Sequence, residues 1–247
     1  MEEINLRHQI VVFGNYDDIT PNMDTIKYFI DVFANKNLIP SQFKEISLNL
    51  TGNTVNNSDT SRLSLTSTNG MWNIRFNVDR IDFVLTNSNI GKIDMPDAES
   101  FLTEVDDILT KVSKKFPKTH KRVGLVSQYL FKDIDSSNSS KKANKTITFF
   151  NDKPIIEWSN KTATRITIQI PEAEVINISN ELRWVKTNIK IEDKSALFDG
   201  LLLNIDINTI NENQNYRFNN DNLKLLLKEI SQIGEVLKKE NIETLNK

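Results

Sequence analysis

The strongest reactive pattern in the chain is one acidic residue followed, about a strand later, by an acid-x-Lys triplet. Glu172 supplies the first carboxylate, and Glu192 and Lys194 supply the triplet. In magnesium-dependent nucleases carboxylates on neighbouring strands hold the metal ion, and a lysine assists the attacking water. The pattern is degenerate in a chain rich in Glu, Asp and Lys, and a charged run at a strand end is also typical of a solvated turn. A magnesium-dependent nuclease is therefore an alternative hypothesis.

Thiol chemistry and multi-histidine metal sites are excluded by composition. The chain has no cysteine and only two histidines, His8 and His120, so we expect neither a bound metal nor a cofactor. In its predicted strand His8 alternates in step with the apolar residues, which indicates that its side chain lies in the core. His120 lies in the basic stretch from Lys118 to Arg122, where it is either a surface residue or part of an anion-binding patch. We favour the surface position.

A polar sheet face is the second candidate site. Arg75, Arg80 and Asp82 lie on strands in which apolar residues occupy the other face. A solvent-exposed polar face is the common outcome of this pattern, and a ligand-binding face is the alternative. These three residues are the candidate binding residues.

The charge balance bears on the partner class. The chain has 31 Lys and Arg against 33 Asp and Glu, a formal charge of −2. Nucleic-acid-binding proteins usually carry a basic excess, so a nucleic-acid partner is not expected, although local basic patches stay possible. No apolar run approaches the roughly 20 residues that span a bilayer, and no signal peptide follows the acidic start. We therefore expect a cytoplasmic protein with no membrane contact.

The first portion of the chain, residues 1–117, reads as strands followed by a long helix. A strand with alternating apolar positions comes first, and Thr20-Pro21 predicts the start of a helix that continues to about residue 36. Gly52 to Thr60 reads as a polar loop, and Asn69-Gly70 as a hairpin turn. Alternation then predicts strands around 72–78 and 81–85, before an amphipathic helix that follows Pro96.

The second portion, residues 118–247, has the same plan. Strands are predicted at 123–131, 164–170, 176–191 (as one strand or two) and 201–207, and an apolar stripe predicts a helix from about residue 223. The expected fold is α+β, with mostly antiparallel strands in two strand-meander-helix halves and long amphipathic helices packed on one sheet face. The boundary near residue 117 separates either two domains or two halves of one continuous domain.

Several segments resemble an uncharacterised, sporadically distributed family of bacterial proteins. They are Leu38 to Glu45, Arg62 to Ser67, Trp72 to Asp82, Arg122 to Leu125, and Leu203 to Ile207 with the helix after it. The resemblance covers most of the chain through strand patterns rather than reactive groups. It implies a setting associated with mobile elements or phage defence, and it assigns no catalytic residue.

The leading functional hypothesis is a non-enzymatic protein-binding or assembly component that works through a sheet edge or a polar sheet face. Pairing an open sheet edge with another chain would satisfy its free backbone groups, so a protein partner or self-association is expected. A chaperone- or antitoxin-like protein that holds an extended client on its sheet is a further alternative. The hypothesis depends on the lack of a credible reactive constellation in the sequence.

Overall fold

A nine-stranded antiparallel sheet is the framework of the protein. The computed structural model describes residues 1–51, 54–92, 94–132, 153, 155–170 and 172–246. The strands are, in chain order, β1 (Glu2–Gly14), β2 (Leu38–Thr51), β3 (Thr54–Ser67), β4 (Trp72–Phe76), β5 (Arg80–Thr86), β6 (His120–Lys132), β7 (Ser159–Gln169), β8 (Ala173–Ile191) and β9 (Lys194–Thr209). They lie side by side in the order β2-β3-β4-β5-β1-β6-β9-β8-β7, and each neighbouring pair is antiparallel. The α+β class with a large antiparallel sheet is confirmed.

Three α-helices accompany the sheet in the described residues: α1 (Met23–Phe33), which continues as a 3-10 turn, α2 (Ala98–Lys115) and α3 (Asn220–Asn246). Helix α2 begins at the N-cap Asp97, whose side chain accepts a hydrogen bond from the Ser100 amide. Helix α1 begins later than predicted, because Asn22 rather than Thr20 is its N-cap and accepts from the Thr25 amide. No described helix is long and apolar enough to cross a bilayer.

One face of the sheet and the three helices share the main hydrophobic core. Strand residues of one parity join the buried apolar residues of the helices in a single cluster. Its members include Ile10 and Phe83 from the sheet, Phe29 from α1, Phe101 from α2 and Leu226 from α3. Side chains alternate between faces along a strand, so the residues of the opposite parity lie on the other face. We call that second side the open face.

The far ends of β8 and β9 extend beyond β6 as a two-stranded hairpin whose tip contacts the loop after β5. The Ile90 amide donates to the Lys190 carbonyl at 3.0 Å, and the Glu192 amide donates to the Ile90 carbonyl at 2.9 Å. A second, smaller hydrophobic cluster lies beneath this contact; it consists of Ile4, Ile90, Leu130, Phe198 and Leu202. The hairpin thus covers one end of the open face and leaves the middle of that face uncovered by any described helix.

One sequence prediction needs correction, and the structure decides between the two alternatives of another. Thr54 to Thr60 was predicted within a polar loop, yet it forms the first half of β3 and pairs with the end of β2. Residues 52 and 53 of that predicted loop lie outside the described residues. The stretch 176–191, predicted as one strand or two, is a single strand that starts at Ala173.

Candidate functional site

Arginine is concentrated on the open face. Seven of the eight arginines lie on strands, and all seven have open-face parity: Arg7, Arg62, Arg75, Arg80, Arg122, Arg165 and Arg183. In most cases a neighbour in the chain belongs to the helix-covered core, for example His8, Leu63, Ile74 and Val123, whereas the neighbour of Arg165, Ile166, is 38% exposed. The eighth, Arg217, lies in a loop and pairs with the buried Glu174 at 2.7 Å. One arginine, Arg62, is structural, because it is 1% exposed and donates to the carbonyls of Phe76 and Tyr16.

The register aligns the open-face residues in rows that cross the strands. One row runs from Arg75 on β4 to Arg165 on β7 through the successive register partners Asp82, Val11, Gly124, Asn208 and Asn177. Six strand spacings of about 4.8 Å place the two arginines about 29 Å apart. The row therefore has guanidinium groups at its ends and small or amide side chains in its middle.

Gly124 lies at the centre of this row, and its backbone conformation does not require a glycine. Its φ is not positive, and an added Cβ would meet only Asn208 Cβ, at 3.4 Å, and a carbonyl at 3.9 Å. By contrast, a Cβ on Gly200 would lie 2.3 Å from the Phe131 carbonyl oxygen. Glycine weakens a strand interior, and it is frequent where a ligand or another backbone approaches closely. No packing contact therefore demands a glycine at position 124.

Hydrogen bonds link polar side chains of the open face within β9 and from β9 across β8 to β7. The Asn208 amide donates to Asp206 at 3.0 Å, and the Asn177 amide donates to Asn208 at 3.4 Å. Arg165 donates to Asn177 at 2.8 Å, which extends this chain to the edge strand. These contacts hold the amide groups in fixed orientations on the sheet surface.

The three predicted binding residues lie close together on the open face. Arg75 and Asp82 are register partners on β4 and β5, and Arg80 Nε donates to Asp82 Oδ2 at 3.1 Å. Asp82 also accepts from the Asn77 amide at 2.6 Å. Arg75 is exposed, and its guanidinium carbon lies 5.7 Å from the centre of the Phe43 ring. Arg7, Arg165 and Arg183 are not among the residues predicted from the sequence, and Arg122 entered only as a member of the possible anion-binding patch around His120.

The structure does not bring the predicted nuclease residues together. Glu172 precedes β8 and Glu192 follows it. The 19 residues of this strand separate them by about 60 Å along the chain at about 3.3 Å per residue. Glu192 and Asp193 have φ values of 46° and 66° and form the two-residue turn between β8 and β9, which places Lys194 at the start of β9. The described residues contain no group of three or more metal-ligating side chains.

Asp193, in the same turn, takes part in a local polar contact. Its carboxylate accepts from Asn89 Nδ2 and from Lys92 Nζ, both at 2.8 Å. Hydrogen bonds from Lys92 and Lys190 lower the pKa of Asp193. This carboxylate therefore attaches the hairpin tip to the loop after β5.

Both histidines are buried. His8 has no exposed surface, as predicted, and its Nδ1 lies 3.1 Å from Ser127 Oγ. Burial lowers the pKa of His8 from 6.5 to about 4, with Lys238 adding to the effect and Asp97 opposing it. The prediction that His120 lies at the surface is wrong: it is 1% exposed, and its ring bonds Tyr16 and Asn220. Neither ring is positioned to act on a ligand at the open face, because both lie on the helix-covered side.

Comparison with known proteins adds no assignment. No protein-family model matches the chain, and no curated protein matches it significantly.

Proposed function

We propose that the chain is a non-enzymatic binding or assembly protein that works through the open face of its sheet. The observation that carries the proposal is the concentration of strand arginines on the face that no described helix covers. A guanidinium group presents five donors in a fixed fork and suits recognition of a partner surface. An enzyme would need reactive groups that converge, and on this face the register instead spreads the charged groups along rows.

The two-half organisation belongs to this proposal and has support in the register. Ile10 of β1 pairs with Leu125 of β6 at the middle of the sheet. A two-fold rotation about that pair relates Arg7 to Arg122, and it relates Asp82 on β5 to Asp206 on β9. The open face would then consist of two related half-surfaces that meet at β1 and β6.

The biological setting is also part of the proposal. We place the protein in a bacterial cytoplasmic system associated with mobile elements or phage defence, on the basis of the resemblance described above. A chaperone- or antitoxin-like protein that holds a client would use the same face. We do not carry the magnesium-dependent nuclease forward, because β8 separates Glu172 from Glu192.

Site-specific photo-crosslinking in bacterial cells tests the proposal. A photoreactive residue in place of Val126 or Gln128 on the open face should give adducts with a partner, and one in place of Lys114 or Lys228 on the helices should give none. Gly124→Gln, which places a long side chain next to Val126 on the open face, should reduce the open-face adducts. Adducts from the helix positions alone would overturn the proposal.

A separate assay addresses catalysis. The purified protein is incubated with DNA and RNA in the presence of magnesium or manganese, alongside Glu192→Ala. Nucleic acid that stays intact at high protein concentration agrees with a non-enzymatic role. Cleavage that Glu192→Ala abolishes would contradict it.

A further inference from the structure

We propose that the open face binds double-stranded nucleic acid through its sugar–phosphate backbone. The inference rests on the proposed function, and it specifies the class of partner. It departs from the expectation drawn from the net charge of −2, because the open face differs in charge from the chain as a whole.

The first argument is the local charge. The row of Arg75 ends at Arg165, and the row of Arg7 ends at Lys161. A third row pairs Phe13 with Arg80 on one side and with Arg122 on the other. The carboxylates in and beside these rows are Asp82, Glu181 and Asp206, and Arg165 pairs with a further one, Glu212, at 3.2 Å. Cationic side chains therefore outnumber carboxylates on this surface, whereas acidic residues outnumber basic ones in the whole chain. A basic face of this kind is the electrostatic feature expected of a nucleic-acid-binding protein.

All of these carboxylates except Glu181 are already engaged in hydrogen bonds or ion pairs. Asp82 accepts from Asn77 and Arg80, and Asp206 accepts from Asn208. By contrast, no hydrogen bond or ion pair of Arg183 appears in the described structure, and Arg75 contacts only the Phe43 ring. Both arginines are exposed, so their guanidinium groups are accessible to phosphate oxygens, which they can bind bidentately.

The composition of the face favours nucleic acid over an acidic protein. Protein–protein interfaces have a core enriched in aromatic residues and Met. The central strands of the open face instead present Val11, Val84 and Val126, all half-buried, between amide side chains. Interfaces with nucleic acid are more polar and more positively charged than protein–protein interfaces. The amides of Gln9 and Gln128 add donors and acceptors suited to sugar and base-edge atoms.

The aromatic residues of the face favour a duplex over a single strand. Proteins that bind single strands stack successive bases on exposed aromatic rings. Among the described residues, the rings on this face outside its hairpin-covered end are Phe13 and Phe43, and arginines cover them: the Arg122 guanidinium lies 4.4 Å from the Phe13 centroid, and that of Arg75 lies 5.7 Å from the Phe43 centroid. With both rings occupied, the face offers backbone contacts spread over about 29 Å rather than a stacking platform.

Fluorescence anisotropy with the full chain tests the inference. The probes are a labelled mixed-sequence DNA duplex of about 20 base pairs, the corresponding single strand, and labelled poly-glutamate, each titrated across a series of salt concentrations. The face variant is Arg75→Gln/Arg165→Gln/Arg183→Gln. The matched control is Lys114→Gln/Lys228→Gln/Lys239→Gln, which removes the same charge from exposed positions on α2 and α3.

The expected result is duplex binding that is tighter than single-strand binding and weakens with salt. The face variant should lose about tenfold or more in affinity, and its slope of log K against log salt should be shallower by about 2.7, or about 0.9 per lost phosphate contact. The control variant should lose much less. Circular dichroism should show both variants folded, since every replaced side chain is exposed.

Other outcomes overturn the inference in distinguishable ways. If the single strand binds as tightly as the duplex or more tightly, a duplex is not the preferred ligand. If both variants lose the same affinity, the open face is not the contact surface. Poly-glutamate binding that depends on the face arginines, without nucleic-acid binding, identifies an acidic protein and leaves the proposed function standing. No binding of any probe overturns the inference, and the crosslinking experiment then decides the proposed function by itself.

Discussion

Tyr16 and His120 lie 104 residues apart in the chain, and the Tyr16 hydroxyl is 2.8 Å from His120 Nδ1. Burial raises the pKa of Tyr16 and lowers the pKa of His120, so both groups are neutral in the folded protein. The tyrosine hydroxyl therefore donates to Nδ1. His120 Nε2 then carries the proton and donates to Asn220 Oδ1 at 3.1 Å. This chain of bonds connects the segment after β1 with the start of β6 and the start of α3.

Tyr16→Phe should lower the free energy of unfolding by about 1–3 kcal/mol, because it leaves a buried nitrogen of His120 without a partner. Urea denaturation followed by circular dichroism measures the change. Tyr216→Phe, at a tyrosine that is 52% exposed, is the control and should be nearly neutral. Equal midpoints for the two variants would show that the hydroxyl contributes nothing.

The stability of the protein should fall in mild acid because of His8. Its pKa is about 4 in the folded protein and 6.5 when unfolded, so the unfolded state binds the proton more tightly. The stabilising contribution of neutral His8 to the free energy of unfolding is fully present above pH 6.5 and is lost as the pH falls toward 4. At about 1.4 kcal/mol per pKa unit, the loss is about 3 kcal/mol.

His8→Gln isolates this contribution from that of the carboxylates. The free energy of unfolding of both proteins is measured by urea denaturation from pH 7.5 to pH 4. The difference between wild type and variant should shrink by about 3 kcal/mol as the pH falls. A difference that is constant with pH would mean that His8 does not titrate in this range.

Glu192→Asn should stabilise the protein. Glu192 has a φ of 46° in the turn between β8 and β9, a conformation that asparagine tolerates better than glutamate. We expect a gain of up to about 1 kcal/mol in the free energy of unfolding, measured by urea or thermal denaturation. Glu172→Asn, at the other end of β8, is the control. A large loss of stability in Glu192→Asn would indicate that the carboxylate has a structural role.

Gly124→Ala and Gly200→Ala should have opposite effects on stability. Alanine at position 124 has space and a suitable φ, so the variant should gain about 0.5–1 kcal/mol. Alanine at position 200 would put a Cβ 2.3 Å from a carbonyl oxygen and should destabilise the protein, by about 1–3 kcal/mol or more. Thermal denaturation of the pair compares them directly. A loss at position 124 similar to that at position 200 would show that the glycine is needed for packing.

The sequence predicts best those strands that have one buried face. The alternation from Trp72 to Phe76 and from Ile81 to Leu85 identifies β4 and β5, because the core selects every second residue. Among the described residues the stretch Thr54–Thr60 pairs only with the end of β2, because β4 pairs with β3 from Leu63 to Thr66. Val55 is the one apolar residue in this stretch, so the sequence has no apolar period there and predicts a loop.

The candidate site was only partly predictable for a different reason. Parity alone places Arg75, Arg80 and Asp82 on a polar face, but strand order decides which residues share a row. Nothing local indicates that Arg75 and Arg165 occupy one row, because β1 and β6, which lie between them, come from distant parts of the chain. The position of His120 is not predictable for the same reason. Its basic neighbours in the sequence indicate a surface position, but it is buried against Tyr16, which comes from a distant segment.

The central position of β1 has a consequence for how the chain folds during synthesis. Its two neighbours are β5, which starts at Arg80, and β6, which starts at His120. Strand β1 therefore leaves the ribosome long before either partner exists, with its hydrophobic residues and backbone groups unpaired. Closure of the sheet waits for contacts that are distant in sequence, which makes slow folding and a need for chaperone protection the natural expectation for this topology.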